Sequence, residues 1–237
     1  MHQSSLQEIE KIPYPPEYLE ELKQLVPLVL NSVEREGLPI ESGVFNVKGV
    51  DDNLDLALFF FYWITEINEI IENLNLTLAD LRALPKTYLI LKGSPKARYY
   101  LLVRTYFYEF YRFRESHHKA VKAATNRGFI KRNEVSEIRN SFHKAFEHTI
   151  DLRNILVHGS PVWKGEKHFN LSLVFGAWEL GYALKSIETG EVWDIETVLK
   201  EVCDDIANTL REEGNRMSTF LKSLISAYVE LTSNLRE

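Results

Sequence analysis

The sequence predicts a mainly α-helical protein with one small antiparallel β insertion between its last two helical regions. Three observations indicate this class. Long stretches carry apolar residues at three- and four-residue spacing, glycine and proline rarely interrupt them, and apolar alternation is confined mainly to one stretch after residue 161. With 11 Gly and 8 Pro among 237 residues, and 45% hydrophobic residues, a long disordered region is not expected.

The first part of the chain predicts two helices and two short connections. One helix is predicted over 17–36, and a loop or small hairpin follows over 39–50. A second helix is predicted over 51–73, where the first two residues are aspartates and therefore candidate N-caps. A short capped turn is predicted over 77–80.

The next predicted helix begins at Ser94 and Pro95. This pair is typical of a helix start, because serine caps the helix and proline fits its first position. The helix is about thirty residues long and ends at the loop NRGF, residues 126–129. Apolar residues repeat along it at steps of four and three: Tyr99, Val103, Tyr106, Phe110, Phe113, His117, Ala120 and Ala124. This seam requires a packing partner.

The remaining chain predicts a helix, the β insertion and a last helix. The helix is predicted over 133–157, and a small antiparallel hairpin or three-stranded meander over 162–193. The last helical region is predicted over 194–235. We interpret residues 1–50 as an N-terminal helix and loop that pack on the bundle, and residues 51–237 as one helical domain that carries the hairpin.

The charges are unevenly distributed along the chain. The net charge of −6 argues against nucleic acid as a partner. The segment from Lys92 to Lys144, however, contains thirteen Lys and Arg and four Glu, so its charge is +9. The rest of the chain contains fifteen basic and thirty acidic residues, so its charge is −15. Such a segment is compatible with a local phosphate-binding surface. Charge alone favours the alternative, a solvated helix face.

The single cysteine and the N-terminal sequence predict the compartment. Cys203 excludes an internal disulfide framework and a four-cysteine zinc site, which fits a reducing environment. The first residues lack the basic and apolar regions of a secretory signal. The most apolar run, 54–64, is shorter than the roughly 20 residues that a membrane span needs. We therefore expect a cytoplasmic protein with no membrane association.

The stretch DLRNILVHGSP, residues 151–161, places an arginine among apolar helix positions. On a helical wheel with about 100° per residue, Arg153 falls about 20° from Phe142, in the middle of the apolar arc, whereas Asn154 and His158 fall on the polar arc. A buried arginine is unfavourable unless its charge is paired or binds an anion. Arginine can hold a phosphate, and histidine can move a proton at neutral pH. Asparagine can orient either of these two side chains. These residue types suit RNA cleavage by an internal 2′-hydroxyl, which needs no metal and no cofactor.

Arg153 and His158 are about 140° apart on an ideal helix. One regular helix could not aim both side chains at one substrate atom. Two arrangements would resolve this: the helix unwinds at Gly159 so that His158 turns, or a second copy of the chain supplies the missing partner across a two-fold axis.

RNILVH, residues 153–158, resembles the R-x4–6-H motif of the HEPN superfamily, whose members are all-α domains. The polar residue Asn154 after the arginine and the position at a helix end in a bundle also resemble that family. The resemblance covers roughly 51–235. It implies a metal-independent endoribonuclease whose homodimer forms a composite cleft, with Arg153 binding phosphate, Asn154 orienting and His158 catalytic. Similar members act in antiviral defence, RNA processing or toxin–antitoxin pairs, with a protein antitoxin as partner.

The segment that follows Ser94 is the predicted RNA-binding surface. Its basic residues alternate with aromatic residues that could stack bases, and those outside the seam, Tyr100, Tyr108 and Tyr111, are the better candidates. The predicted RNA-binding residues are Arg98, Arg104, Tyr108, Arg112 and Lys119.

Some of these residues also have alternative interpretations. Arg153 could be a core arginine paired with Glu66 or Glu69, and His158 could cap the carbonyls of its helix end. The chain would then be a non-catalytic HEPN-like dimerisation or protein-interaction module. Zinc ligation is a weaker alternative, since no H-E-x-x-H pattern and no suitably spaced fourth ligand accompany the candidates. These candidates are His117, His118, His143, Glu147 and His148.

Overall fold

A computed structural model describes residues 8–23, 27, 52–158, 166–185 and 187–234. In these residues the chain is mainly helical and contains one two-stranded antiparallel sheet, as predicted. The α-helices are α1 (Asp52–Thr87), α2 (Pro95–Asn126), α3 (Val135–Ala145), α4 (Glu147–His158), α5 (Glu166–Glu179) and α6 (Ile195–Asn234). The strands β1 (Leu184–Lys185) and β2 (Val192–Trp193) lie between α5 and α6. None of the helices in this part of the chain combines the length and the apolarity that crossing a bilayer requires.

The chain forms two compact units. The first comprises 1–11 and 70–220, and the second comprises 12–69 and 221–237. Both α1 and α6 contribute residues to each unit. The helices α2 to α5 and the strand pair belong to the first unit, which therefore contains most of the predicted site.

The apolar seam predicted along α2 is confirmed, because each of its residues is buried. Phe142 of α3 and Phe146, between α3 and α4, pack on it. The ring centroids of Phe113 and Phe142 are 5.2 Å apart, and those of Phe110 and Phe146 are 5.5 Å apart. The imidazole of His117 stacks on Phe142 at 4.7 Å. Burial of large aromatic side chains is a major source of stability, so this cluster holds α3 and α4 against α2.

The two ends of α2 lie where the sequence predicts them. The helix begins after Ser94, whose hydroxyl does not cap it and instead donates to a carboxylate oxygen of Glu179 at 3.3 Å. At the other end the backbone N–H of Phe129 donates to the carbonyl of Ala124 at 3.0 Å. This six-to-one bond needs a left-handed residue before Phe129. Gly128, with φ of +79°, is that residue.

The prediction of a short capped turn over 77–80 is wrong, because α1 continues through it. The hydroxyl of Thr77 does not cap a new helix and donates to the carbonyl of Asn73 one turn back, at 2.8 Å. Leu78 and Leu81 are fully buried and continue the apolar face of the helix. Packing of this face therefore outweighs the local preference of threonine for a helix start.

The prediction of one helix over 133–157 is also wrong, because α3 and α4 are separated at Phe146. The backbone of Phe146 has φ of −123° and ψ of 19°, outside the helical region. Such a break leaves carbonyl groups without their usual helical donors. One of them, the carbonyl of Ala145, accepts a hydrogen bond from the guanidinium of Arg216 on α6 at 2.8 Å.

A second contact from α6 holds the start of α4. Glu213 accepts a hydrogen bond from the hydroxyl of buried Thr149 at 2.5 Å, and its other carboxylate oxygen binds Arg216 at 2.7 Å. Glu213 and Arg216 thus form a pair that contacts both sides of the break. The sequence of α3 and α4 contains no proline or glycine that would predict the break. The side chain that binds the carbonyl at the break lies 71 residues further along the chain, so local sequence does not reveal it.

The β insertion is shorter than the predicted hairpin or meander over 162–193. Most of its predicted first strand is the helix α5. Val174 and Phe175 are adjacent in sequence and are both buried, whereas a strand with one face in solvent would bury only one of two neighbours. The hairpin that does form pairs Leu184 with Trp193 and Lys185 with Val192.

The N-terminal segment of the first unit is fixed by side chains of α1. Asn75 accepts a hydrogen bond from the backbone N–H of Ile9 at 2.8 Å and donates one to the carbonyl of Ile9 at 2.9 Å. Glu8 forms a bidentate ion pair with Arg82, in which both N–O distances are 2.8 Å. Ile9 is therefore held by its backbone and is fully buried.

The second unit contains the same kind of contact. Asn68 accepts from the backbone N–H of Ile12 at 2.7 Å and donates to the carbonyl of Ile12 at 2.9 Å. The helix predicted over 17–36 starts with a 3₁₀ turn, Pro16–Tyr18, and is helical over 19–23. The rest of that helix, apart from residue 27, and the loop or hairpin predicted over 39–50 lie outside the described residues.

Gly214 permits a close approach in the middle of α6. A Cβ atom at this position would lie 2.8 Å from Cγ1 of Ile9 and 3.3 Å from the hydroxyl of Tyr106. Neither neighbour can move easily, since Asn75 holds Ile9 and the buried Tyr106 hydroxyl donates to the carbonyl of Leu210. The lack of a side chain is therefore a packing requirement.

We expect Gly214→Ala to lower the free energy of unfolding by about 1 kcal/mol, since overpacking costs about 1–3 kcal/mol and improved helix propensity returns about 1 kcal/mol. Gly176→Ala is the matched control in α5, where an added Cβ meets no atom within 4 Å. This control should raise stability by up to about 1 kcal/mol. Urea unfolding monitored by circular dichroism measures both. Equal effects of the two substitutions would contradict the packing requirement.

Candidate functional site

The motif RNILVH occupies the last positions of α4, as predicted for a helix end. Asn154 is exposed and Arg153 is half-buried. The guanidinium of Arg153 donates a hydrogen bond from Nη1 to Oδ1 of Asn154 at 3.1 Å. His158 is the final residue of α4, and its side chain lies outside the described residues. The structure thus brings Arg153 and Asn154 into contact.

The helical wheel predicts Arg153 in the middle of the apolar arc, and in the structure its side chain is half-buried. Phe146 and Thr149 are buried on the same side of α4, and Arg153 follows them one turn later. Its guanidinium carbon lies 4.8 Å from the ring centroid of Tyr111 on α2. A wheel that starts at Phe142 passes through the position where the helix breaks, so it does not give the depth of Arg153.

The face of α2 beside Arg153 carries part of the predicted RNA-binding surface. Arg104, Tyr108 and Lys119 are exposed, and their positions fall within about 60° of one another around the helix axis. The ring of Tyr108 is 63% exposed, which leaves its face open to a stacking partner. These three residues therefore form a basic and aromatic stripe on α2.

The remaining two predicted RNA-binding residues have partners within the chain. Arg98 donates from Nε to the carbonyl of Lys92 at 2.9 Å, at the start of α2. Arg112 forms an ion pair with Glu109 at 2.9 Å, and the Glu109 side chain is 8% exposed. A buried carboxylate needs such a partner, so Arg112 stabilises the helix as well as contributing charge to its surface.

Tyr111 and Arg114 lie beside Arg153, and neither is among the five predicted RNA-binding residues, although Tyr111 is one of the tyrosines that the sequence offers for base stacking. The guanidinium carbon of Arg114 lies 5.9 Å from the centroid of Tyr111, on the ring that also contacts Arg153. The position of Tyr111 off the seam is the only sequence signal. Its contact with Arg153 joins positions 42 residues apart and depends on how α4 packs on α2.

The histidines considered as zinc ligands have different environments. His117 is fully buried between α2 and α3, and neither ring nitrogen has a hydrogen-bond partner among the described residues. Burial lowers the pKa of His117 to about 4, with smaller contributions from His118 and Arg139. His143 and His148 are exposed. In the ranges that the structure describes, no three His, Cys, Asp or Glu side chains lie close enough to hold a metal ion.

Comparison with known proteins yields no match: no family model, no curated protein and no solved structure matches this chain. The resemblance of RNILVH to the HEPN motif therefore stays a prediction.

The buried His117 should make stability pH-dependent. Its pKa in the folded chain, about 4, is below the ordinary value of 6.5, so the unfolded chain binds the proton more tightly. Its contribution is fully present above pH 6.5 and is lost as pH falls towards 4. Between pH 7 and pH 5 this loss should amount to about 2 kcal/mol.

Substitution of His117 by phenylalanine, which can keep the stacking on Phe142, should remove that loss. His143→Gln, at an exposed position, is the control and should leave the pH dependence unchanged. Urea unfolding at pH 7 and pH 5 measures the difference. A His117→Phe variant that loses as much stability as the parent between these pH values would contradict the assignment.

Proposed function

We propose that this chain is a metal-independent endoribonuclease of the HEPN type, with a cleavage site shared between two copies of the chain. One observation carries the proposal. The guanidinium of Arg153 lies over Tyr111 at 4.8 Å, so the RNILVH motif adjoins the basic and aromatic stripe of α2. Two features that the sequence presents separately, the motif and the basic segment, therefore form one surface. A phosphate-binding arginine beside exposed cations and a stackable ring suits RNA.

Each residue of the motif has a role in the proposed reaction. Arg153 binds the scissile phosphate and stabilises the extra negative charge of the transition state. Asn154 accepts the hydrogen bond from Arg153 and keeps the guanidinium oriented. His158 removes the proton from the 2′-hydroxyl as its oxygen attacks phosphorus. The 5′-oxygen leaves with a proton, and the products are a cyclic phosphate and a free 5′-hydroxyl.

The bounds of α4 support a site made by two copies. The helix continues through His158, so positions 153 and 158 remain about 140° apart around its axis. One copy would then supply the arginine and the other the histidine at each phosphate. After it has taken the proton of the 2′-hydroxyl, the same His158 can return a proton to the leaving oxygen.

The first test is cleavage of structured and single-stranded RNA by the purified protein in excess chelator. We expect the parent chain to cleave, and Arg153→Ala and His158→Ala to be slower by about a hundredfold or more, since each removes a group that acts in the transition state. Two variants are matched controls. Arg132→Ala removes an exposed arginine from the loop before α3, and His148→Ala removes an exposed histidine from α4. Both should cleave like the parent.

Circular dichroism and sedimentation must show that each variant is folded and has the same oligomeric state. Undiminished cleavage by His158→Ala, or full activity of a monomer, would refute the composite site. Absence of cleavage on every RNA, with all variants equally stable, would favour the second candidate function.

That second candidate is a non-catalytic module that dimerises with a second copy of the chain. Exposed apolar side chains favour it. Leu89 and Ile90 after α1, and Leu180 and Tyr182 after α5, are each more than two thirds exposed. Tyr88 contacts Trp178 at 6.1 Å between ring centroids, so the two segments lie side by side. We call these four exposed residues the apolar patch, and such patches commonly mark association surfaces.

If the apolar patch is a two-fold interface, the double variant Ile90→Asp and Leu180→Asp should shift the protein from dimer to monomer, since it places charges opposite each other in a self-complementary surface. Leu101→Asp, at an exposed apolar position of α2, is the control. Sedimentation velocity measures the dimer fraction. A dimer that persists in the double variant would place the interface elsewhere.

A further inference from the structure

The ring of Tyr111 contacts two arginines from different helices. Arg114 lies one turn further along α2, and Arg153 comes from α4; their guanidinium carbons lie 5.9 and 4.8 Å from the ring centroid. All three side chains are half-buried, so the ring face is partly shielded from water. A cation–π contact attracts the cation to the ring and restricts its position. Tyr111 therefore limits the positions that both guanidinium groups can take.

This pair concentrates positive charge at one place on the surface. In the described part of the chain Arg114 makes no ion pair with a carboxylate. The pKa of the neighbouring His118 is lowered, first by its burial and then by the positive charges of Arg114 and Arg139. The two guanidinium carbons lie 5.9 and 4.8 Å from the same ring centroid, so an anion at this place is within screening distance of both charges.

The surroundings indicate which anion fits. A phosphodiester carries one negative charge and two free oxygens, and guanidinium groups match such oxygens with paired hydrogen bonds. Tyr108 lies one turn before Tyr111 on α2 with its ring exposed, within reach of a base attached to that phosphate. An isolated phosphate ion would make no use of this ring.

We infer that Tyr111, Arg114 and Arg153 form a phosphodiester site for single-stranded RNA, in which Tyr111 is the positioning residue for Arg153 and Arg114 is the second arginine. The inference rests on the proposed function and deepens it. Arg114 adds binding strength, whereas Tyr111 acts only through the arginines that lie on its ring. Loss of Arg114 therefore raises KM, and loss of the Tyr111 ring lowers kcat through misplacement of Arg153.

The test compares Tyr111→Phe, Tyr111→Leu and Arg114→Ala with the control Arg132→Ala. Binding of a labelled single-stranded RNA is measured by fluorescence anisotropy in a His158→Ala background, where the RNA stays intact, and kcat and KM are measured without that background. Tyr111→Phe keeps the ring and should stay within about twofold of the parent. Tyr111→Leu keeps apolar bulk without the ring and should lower kcat about tenfold. Arg114→Ala should weaken binding about tenfold and lower the salt slope by roughly 0.7.

The outcomes separate this site from the proposed activity. If the protein binds RNA, Arg114→Ala weakens that binding and no RNA is cleaved, the ribonuclease proposal and the role of Tyr111 in kcat fail, and the phosphodiester site with Arg114 stands. If the protein cleaves RNA while Tyr111→Leu and Arg114→Ala behave like Arg132→Ala, the site fails and the activity stands. A Tyr111→Phe variant as impaired as Tyr111→Leu would overturn the role of the ring.

Competition with inorganic phosphate distinguishes a site for a phosphodiester chain from a site for a free ion. Inorganic phosphate should displace the labelled RNA only at concentrations far above the RNA dissociation constant. Displacement at comparable concentrations would overturn the assignment to a phosphodiester chain. Should Tyr111→Leu fail to fold, as judged by circular dichroism, Arg114→Ala decides alone, because its half-exposed side chain contributes little to the core.

Discussion

The packing of Phe142 and Phe146 on the aromatic seam of α2 is the interaction on which the rest of the first unit depends. Phe146 contacts both Phe110 and Phe113, and Phe142 contacts Phe113 and His117. Both phenylalanines also contact Phe220 of α6, so the cluster joins α2, α3, α6 and the break at Phe146. Because protein interiors are close-packed, this cluster restricts how α4, which begins directly after Phe146, can lie on α2. The contact of Arg153 with Tyr111 follows from that placement.

The break at Phe146 is what allows α4 to take this position. If α3 and α4 were one continuous helix, the motif would lie along the axis of α3. Because the helix breaks, α4 can run in a different direction. The broken backbone is stabilised from α6, where Arg216 binds the carbonyl of Ala145 and Glu213 binds Thr149. The carbonyl of Ala145, at the break, is thereby satisfied. Glu213 and Arg216, which are themselves paired, contact both sides of the break.

Electrostatics divides α2 into two sides with different roles. The buried side contains one carboxylate, Glu109, and Arg112 neutralises it. The opposite side presents Arg104, Arg114 and Lys119 together with Glu115, and Arg153 of α4 lies beside it on Tyr111. A net charge of −6 for the whole chain therefore says little about this surface. Screening limits each charge to about 10 Å, so the local arrangement decides which ligand the surface attracts.

The sequence by itself determined the helical class, the seam of α2 and both ends of that helix, because these depend on residues three to five positions apart. It also determined that Arg153 and Asn154 lie near a helix end. Only the tertiary structure decided that the helix breaks at Phe146, that α5 is a helix, and that Arg153 lies on Tyr111. Each of these depends on a partner far away in sequence, such as Arg216 or Tyr111. Local sequence patterns do not indicate which distant side chain will hydrogen-bond a carbonyl or which ring will contact a guanidinium group. The packing of the whole core determines these contacts.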